Sequence, residues 1–227
     1  GVAHRVRVCA IDRAGNVSGG AVATGTPAAE LDPPTGSILI EGGATWARSS
    51  RVAVTVSAAD VSGVTSVCFA TTPASCTAWV GYRPVLSASL ASGAGERTLY
   101  AWLRDRWGNA TSSPVSDTVR VDPTPPPDPV VSVMAETEGL GLSWPAGVDP
   151  PGGSGLAGYL VAVATGTRAP STCTGGTLVA ASPHRVSGLV DGRTYSYRVC
   201  ANDVAEHVSR GRTRSGVPRP ESAWPSA

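Results

Sequence analysis

One stretch of the chain occurs twice, and it constrains the fold more than any other feature. Residues 1–27 match residues 192–218 without gaps at 12 of 27 positions, including Cys9 and Cys200. Both copies alternate apolar and polar residues on either side of a turn, which is typical of a β-hairpin. Residues 98–122 follow a looser version of the same plan. The sequence therefore predicts three modules that end in the same hairpin.

The spacing of these hairpins indicates the size of a module. Successive copies lie roughly 95 residues apart, close to the length of an immunoglobulin-type sandwich. Short apolar runs separated by Gly, Pro, Ser and Asp predict an all-β fold of tandem sandwiches without helices. The predicted organisation is an incomplete sandwich at 1–27, a linker at 28–35, a sandwich at 36–122, a Pro-rich linker at 123–129, a second complete sandwich at 130–218 and a C-terminal linker at 219–227.

The first hairpin needs further strands, because an isolated two-stranded hairpin is at best marginally stable in water. Two interpretations remain open. The favoured one is that sequence upstream of residue 1 completes this sandwich. The other is that a second copy of the chain supplies the missing strands, which would make the protein a fibre subunit and a homopolymer.

The charge balance argues against a nucleic-acid partner. Eighteen basic residues, all of them Arg, face seventeen acidic ones, for a formal net charge of +1. Arg210, Arg212, Arg214 and Arg219 alternate along one predicted edge strand, where charged side chains commonly prevent edge-to-edge association. No apolar run approaches the roughly 20 residues of a membrane helix, so no membrane span is predicted.

The cysteines follow the modules. Cys68 and Cys76 form a close pair, Cys173 and Cys200 a wider one, and Cys9 occupies the position of Cys200 in the first copy of the repeat. Without C-x-x-C spacing or clustered histidines, this pattern predicts two disulfides rather than a metal site, with the partner of Cys9 outside these residues. The predicted location is extracellular or at a cell surface.

Two parts of the chain resemble known families. The segments SAADVSGV (57–64) and LYAWLRDRWGN (99–109) resemble a bacterial immunoglobulin-like domain. The last module, about 126–218, resembles a fibronectin type III domain through Trp144, Tyr159 and the segment from Leu189 to Tyr195, and residues 1–27 resemble the end of another. These resemblances imply a spacer or presenting module of a larger bacterial surface or secreted protein.

Five aromatic residues are candidates for ligand binding. If alternate residues of the strand near 98–103 fill the core, its aromatic residues point outward, where rings can stack on a sugar or anchor a protein. These candidates are Trp79, Tyr82, Tyr100, Trp102 and Trp107. The alternative is that the rings pack on one another, on the disulfide and on the adjacent module.

Four aspartates are weak calcium candidates: Asp12, Asp60, Asp105 and Asp203. Calcium takes six to eight oxygen ligands, whereas a single Asp in a turn usually bonds its own backbone. We therefore interpret them mainly as turn-forming residues, and we expect no metal and no cofactor.

The sequence favours a structural function over a catalytic one. His4, His184 and His207 lie in separate contexts, and none has a neighbour at a spacing that indicates a triad. We expect a non-enzymatic stalk segment with structural or adhesive function, whose partners are other domains of the same protein and a glycan or another surface protein. One alternative is a carbohydrate- or protein-binding accessory module of a secreted polysaccharide-degrading enzyme, and the other is the fibre subunit.

Overall fold

A computed structural model describes residues 2–28 and 30–220. Residues 221–227, most of the predicted C-terminal linker, lie outside the described residues. The described part is all-β apart from one short 3₁₀ turn at Glu41–Gly43. Its strands are β1 (His4–Val8), β2 (Ala21–Gly25), β3 (Thr35–Ile40), β4 (Trp46–Ala47), β5 (Arg51–Ala59), β6 (Val64–Ala70), β7 (Trp79–Gly81), β8 (Val85–Ser89), β9 (Gly95–Asp105), β10 (Val115–Val121), β11 (Ser132–Glu136), β12 (Gly139–Ser143), β13 (Leu156–Thr165), β14 (Thr177–Val179), β15 (His184–Ser187), β16 (Tyr195–Asp203) and β17 (Arg212–Gly216).

Strands β1 and β2 form the first hairpin, which pairs antiparallel from His4 opposite Gly25 to Val8 opposite Ala21. Every residue of both strands is exposed, including Val6 and Val8. The equivalent positions of the repeat, Tyr197 and Val199, are fully buried. The sequence of this hairpin therefore matches strands that cover a core in the last sandwich. Among the described residues, no core packs against the hairpin itself.

Strands β3 to β10 form the middle sandwich. One sheet has the order β3-β5-β8 and the other the order β4-β10-β9-β6-β7, in which β4 pairs parallel to β10. Alternation along β5 buries Val52, Val54 and Val56, because successive side chains of a strand point to opposite faces. Leu99 and Leu103 of β9 meet them from the other sheet, so both sheets contribute to one core.

Strands β11 to β17 form the last sandwich, with the sheets β11-β12-β15 and β14-β13-β16-β17. Leu140 and Leu142 face Tyr197 across its core, and the Trp144 and Tyr159 rings lie 5.0 Å apart between centroids. The Tyr195 hydroxyl accepts the Val190 N–H at 3.1 Å. This bond fastens the start of β16 to the preceding turn, as in the tyrosine corner of β-sandwich domains.

The strand pattern confirms the predicted all-β class and departs from it in detail. β3 begins at Thr35, one residue inside the predicted first linker, and β4 and β8 are strands that the sequence analysis did not identify. β4 has only two residues, too few to show an alternation, and β8 has a single buried side chain, the small Ala88. No helix among the described residues is long and apolar enough to cross a membrane.

Candidate functional site

Three of the four aspartate candidates lie in one type of turn, which closes the hairpin of each module. In every copy one carboxylate oxygen accepts the backbone N–H of the residue four positions later, at 2.7 to 2.9 Å. The other oxygen lies 2.7 to 3.1 Å from a side-chain nitrogen of that same residue. The pairs are Asp12 with Asn16, Asp105 with Asn109, and Asp203 with His207. Each aspartate thus holds its own turn in shape.

The third turn departs from the other two at its left-handed position. Gly15 and Gly108 have φ angles of 87° and 95°, whereas the equivalent residue of the last sandwich is Glu206, with φ 68°. A non-glycine residue in this region costs on the order of 1 kcal/mol or more. Glu206 lies where the last sandwich faces the middle one. It lines a cavity of about 540 Å³ together with Trp46 and Arg48 of the middle sandwich.

The first linker is fastened to the middle sandwich through Asn109. Its side-chain amide donates to Asp105 Oδ2 at 2.7 Å and also lies 2.9 Å from Glu30 Oε2 and 3.1 Å from the Glu30 carbonyl oxygen. The Ser62 hydroxyl lies 2.7 Å from Asp60 Oδ1 and 3.2 Å from Asp105 Oδ2. Three carboxylates, those of Glu30, Asp60 and Asp105, therefore converge within 4.8 Å of one another.

In this cluster the pKa values of Glu30 and Asp105 shift in opposite directions. Burial raises the pKa of Glu30, and its hydrogen bond with Asp105 and the charges of Asp60 and Asp105 raise it further. Burial also acts to raise the pKa of Asp105. Hydrogen bonds with the Asn109 side chain, Glu30 and the backbone N–H groups of Asn109 and Trp107 outweigh it and lower that pKa to about 2. As the pH falls, Glu30 therefore takes up a proton before Asp105 does.

The junction between the middle and last sandwiches also uses an aspartate carboxylate and the side chain at the fourth position after the turn aspartate. Asp122, which follows β10, accepts the Ser154 N–H of the last sandwich on Oδ2 at 2.7 Å. The Ser154 hydroxyl in turn accepts the Ala205 N–H at 2.9 Å. His207 reaches across to the middle sandwich, where its Nε2 lies 3.1 Å from the Arg48 carbonyl oxygen.

Two carboxylates and a histidine meet at this second junction. Asp122 and Asp203 are 0% and 1% exposed, and each offers an oxygen within 4.8 Å of the other and of a His207 nitrogen. Burial raises the pKa of Asp149, and the charges of Asp122 and Asp203 raise it further. Its Oδ1 is buried without a hydrogen-bond partner among the described residues, while Oδ2 accepts the Gly155 N–H at 2.7 Å.

The structure thus groups some of the predicted calcium candidates and separates others. Asp60 and Asp105 lie together with Glu30, Asp203 lies with Asp122 and His207, and Asp12 stands apart in the first hairpin. Both oxygens of Asp12, Asp105 and Asp203 already serve their turns. Calcium binding by these aspartates stays a prediction.

The aromatic candidates differ sharply in exposure. Trp102 points away from the core, as expected, but it is only 8% exposed. It pairs in register with Cys68, which pairs on its other side with Trp79, so the disulfide lies in the same row as both rings. The Trp102 ring is thus packed beside the disulfide, as in the alternative that the aromatic rings pack on one another and on the disulfide. Ligand binding by this residue stays a prediction.

The remaining aromatic candidates are partly occupied. The Arg104 guanidinium stacks 4.3 Å from the Trp79 ring centroid, and the Tyr82 hydroxyl lies 3.3 Å from the Val56 carbonyl oxygen. Tyr100 is half-buried on the outer face of β9. Trp107 is 65% exposed and borders a groove of about 730 Å³ with Leu31 and Pro27. Of the five, Trp107 is the most exposed, and the Arg106 guanidinium lies over its ring at 5.2 Å from the centroid.

Two disulfides are present, Cys68–Cys76 and Cys173–Cys200. The first closes the loop between β6 and β7, and the second ties the loop after β13 to β16. Cys9 is a free, exposed thiol among the described residues. The equivalent residue of the repeat, Cys200, is bonded to Cys173, and the described residues hold no such partner for Cys9.

Sequence reasoning missed the residues that join the sandwiches. Glu30, Asp122 and Ser154 lie in linkers and loops without a recognisable motif, and the residues around His207 indicated no catalytic triad. The repeat held one usable signal, because alignment of the three turns places His207 where the others have Asn16 and Asn109. Nothing in the sequence indicated that this position reaches a neighbouring sandwich.

These features define the class of protein. The chain is an array of β-sandwiches, in which the last has the three-plus-four strand arrangement of fibronectin type III domains and the middle one is immunoglobulin-like. No protein-family model matches the chain. It is similar to Endoglucanase B of Cellulomonas fimi, at 42% identity over 99 residues, which are 44% of this chain and 9% of that protein. The match thus spans less than a tenth of its relative.

Two solved structures also resemble the chain. The fibronectin(III)-like modules of Clostridium thermocellum CbhA match with a TM-score of 0.49 and 13% identity, over 84% of this chain and 98% of that one. The FN1-FN3 domains of chicken CNTN1 match with a TM-score of 0.49 and 14% identity, over 96% and 75%. The strand order, and not these likenesses, defines the fold.

Proposed function

We propose that this chain is a non-catalytic, extracellular spacer that holds other domains of a polysaccharide-degrading enzyme at a fixed distance and orientation. The junction of the middle and last sandwiches carries the proposal. There, the Ser154–Asp122 and His207–Arg48 bonds join the two bodies directly. A linker that serves only as a flexible tether needs no such bonds.

The similarity to Endoglucanase B supports the choice of parent protein. The chain matches only a small part of that enzyme, which is what a module shared between multidomain proteins would do. The disulfides fit the same function outside the cell. Each restricts the unfolded chain of a small module and typically contributes about 2 to 4 kcal/mol to stability.

The second linker is stiffened in the way a spacer requires. Pro126 is buried, and the Asp128 carboxylate accepts the Gly211 N–H of the last sandwich. Proline fixes the backbone dihedral φ, so a Pro-rich segment tethered at both ends resists bending. Three contacts thus support the spacer function. The Ser154–Asp122 and His207–Arg48 bonds join the two sandwiches, and the Gly211–Asp128 bond joins the linker to the last sandwich.

The parent protein can be identified with an antiserum raised against this chain. We expect the antiserum to detect a protein well above 22.9 kDa in the culture supernatant, and the same band to clear polysaccharide in a zymogram of carboxymethylcellulose or xylan. A cell-bound band without hydrolytic activity would instead support the adhesive stalk. A native protein of 22.9 kDa that polymerises with concentration in light scattering would support the fibre subunit.

Carbohydrate binding is a second candidate function, and the exposed Trp107 ring favours it. Exposed aromatic rings stack on sugars at little entropic cost. A glycan array and a pull-down on insoluble cellulose, xylan and chitin separate the two candidates, because a pure spacer stays in the supernatant. Trp107→Ala is the informative variant and Trp79→Ala the matched control, since the Trp79 ring is less exposed and its arginine lies nearer, at 4.3 Å against 5.2 Å for Arg106 over Trp107.

A further inference from the structure

Strand β17 leaves one edge of its sheet open. In the order β14-β13-β16-β17 it pairs on one side only, with β16. Residues 212–215 are all exposed. The Thr213 carbonyl oxygen accepts an Arg214 Nη1–H at 3.0 Å, which is a bond within the strand itself. Among the described residues no other strand pairs with this edge, so its outward backbone groups are available to a further strand.

Two arginines line this edge at a regular spacing. Arg212 and Arg214 lie opposite Val199 and Tyr197 of β16, so all four side chains leave the sheet on the same face. Alternate residues of a strand lie about 6.6 Å apart. Neither guanidinium has a carboxylate partner in the part of the chain that the structure describes. The edge therefore carries two unpaired positive charges at the repeat distance of a β-strand.

The first copy of the repeat provides an internal comparison. Its strand β2 has Ala21 and Ala23 where β17 has Arg212 and Arg214. Within the described residues β2 also pairs on one side only, with β1. If arginine served only to keep an open edge from associating, β2 would need it as well. The arginines of β17 therefore point to a partner with negative charges.

The geometry of the edge favours an acidic peptide strand as that partner. A strand that adds to a sheet pairs with its free N–H and C=O groups and places alternate side chains on one face, at the spacing of the two arginines. An acidic polysaccharide lacks such a row of backbone groups. The β17 edge of a second copy would bring the same arginines, and like charges on facing strands repel each other.

We propose that the open edge of β17 binds an extended acidic segment of another domain or protein, which adds to the sheet as a fifth strand. Carboxylates at alternate positions of that segment face Arg212 and Arg214, and its backbone pairs with β17. Opposite charges on facing strands stabilise the pairing and select against uncharged segments. This binding site goes beyond the spacer function and does not depend on it.

Fluorescence anisotropy on the full chain tests the site with a labelled peptide of four Thr-Glu repeats. Two control peptides carry the same charge. One has four Thr followed by four Glu, and the other has Pro in place of Thr, which removes the N–H groups that a strand needs. We expect the Thr-Glu peptide to bind roughly ten-fold more tightly than either control. Its binding should weaken with added salt and should slow amide hydrogen exchange in β17.

Arg212→Ala/Arg214→Ala is the matched variant, because it copies Ala21 and Ala23 of the first hairpin. We expect it to keep the circular dichroism of the unchanged protein and to lose roughly ten-fold in affinity for the Thr-Glu peptide. Arg168→Ala/Arg193→Ala removes the same charge from exposed loops and should bind as before.

Three results would overturn this site. They are the absence of binding, equal affinity for the three peptides, and unchanged affinity in the β17 variant. Displacement of the peptide by polygalacturonate, without protection of the β17 amides, would assign the arginines to a polysaccharide and overturn strand addition. The spacer function survives each of these results, since its bonds lie at the junction with the middle sandwich.

Discussion

The Arg104 guanidinium lies over the indole ring of Trp79, with its Cζ 4.3 Å from the ring centroid. Both side chains lie on the outer face of the sheet that carries β6, β7 and β9, where they cover each other. A cation over an indole face contributes about 0.5 to 1 kcal/mol at an exposed site. The stack therefore stabilises the middle sandwich and closes the ring that a ligand would need.

The first prediction concerns this pair. In a double-mutant cycle of Trp79→Leu and Arg104→Met, we expect a coupling energy of about 0.5 to 1 kcal/mol in the free energy of unfolding. Urea denaturation monitored by circular dichroism measures it. Methionine keeps an apolar stem over the ring, so a coupling near zero would mean that the guanidinium charge contributes nothing.

The second prediction concerns the two tryptophans at opposite extremes of exposure. Trp102→Ala should lower the free energy of unfolding by about 3 to 5 kcal/mol, because it removes a buried ring. Trp107→Ala should lower it by no more than about 1 kcal/mol, because its ring mostly faces solvent and loses only the contact with the Arg106 guanidinium. Thermal unfolding of both variants gives the comparison, and equal losses would contradict the difference in burial.

The third prediction compares the disulfides. Cys68–Cys76 closes a loop with a sequence separation of 8, and Cys173–Cys200 one of 27. Loop-closure entropy then assigns about 2.5 kcal/mol to the first bridge and about 3.5 kcal/mol to the second. Paired Cys→Ala variants should lose stability in that order under denaturant. A larger loss for the short loop would show that packing of the sulfurs outweighs chain entropy.

The fourth prediction follows from the acidity of Asp105. Because the pKa of Asp105 falls to about 2 in the folded chain, this carboxylate stabilises the fold above the pKa of an unfolded aspartate, near 4. Its contribution should disappear as the pH falls from about 4 towards 2. Acid titration of Asp105→Asn should lack this component, while Asp12→Asn, in the first hairpin, leaves the middle sandwich unchanged.

The fifth prediction concerns Gly211, which has φ 79° and lies against the Cys200 sulfur, with no room for a methyl group. Gly211→Ala should destabilise the last sandwich by about 1 to 3 kcal/mol through backbone strain and this contact. Gly188→Ala is the control, since Gly188 has φ 74° and open space around it. The difference between the two variants isolates the contact, and equal losses would assign the whole effect to the backbone.

The sequence was a good guide wherever structure is local. The alternation of Val52, Val54 and Val56 with polar and small residues is typical of a strand with one buried face, and the structure has it as β5. The domain boundaries inferred from the repeat stay a proposal. Short strands such as β4 could not be predicted from the sequence. Two residues are too few to show an alternation, and β4 is a strand only because it pairs in parallel with β10.

Exposure of side chains was harder to predict than their direction. The alternation around Leu99 and Leu103 places Trp102 on the outer face, which is correct. Its burial depends on β6 and β7, whose Cys68 and Trp79 arrive beside it only when the sheet is assembled. A sequence pattern gives the face of a strand, whereas neighbouring strands decide whether that face remains open.

The sequence by itself determined the all-β class and the repeated turn, because alternation and turn chemistry depend on neighbouring residues. Only the tertiary structure decided the function of the turn position that Asn109 and His207 share. The side chain there meets Glu30 in one module and Arg48 in the other, residues 79 and 159 positions away along the chain. Contacts at that separation follow from how whole sandwiches meet, which no local pattern encodes.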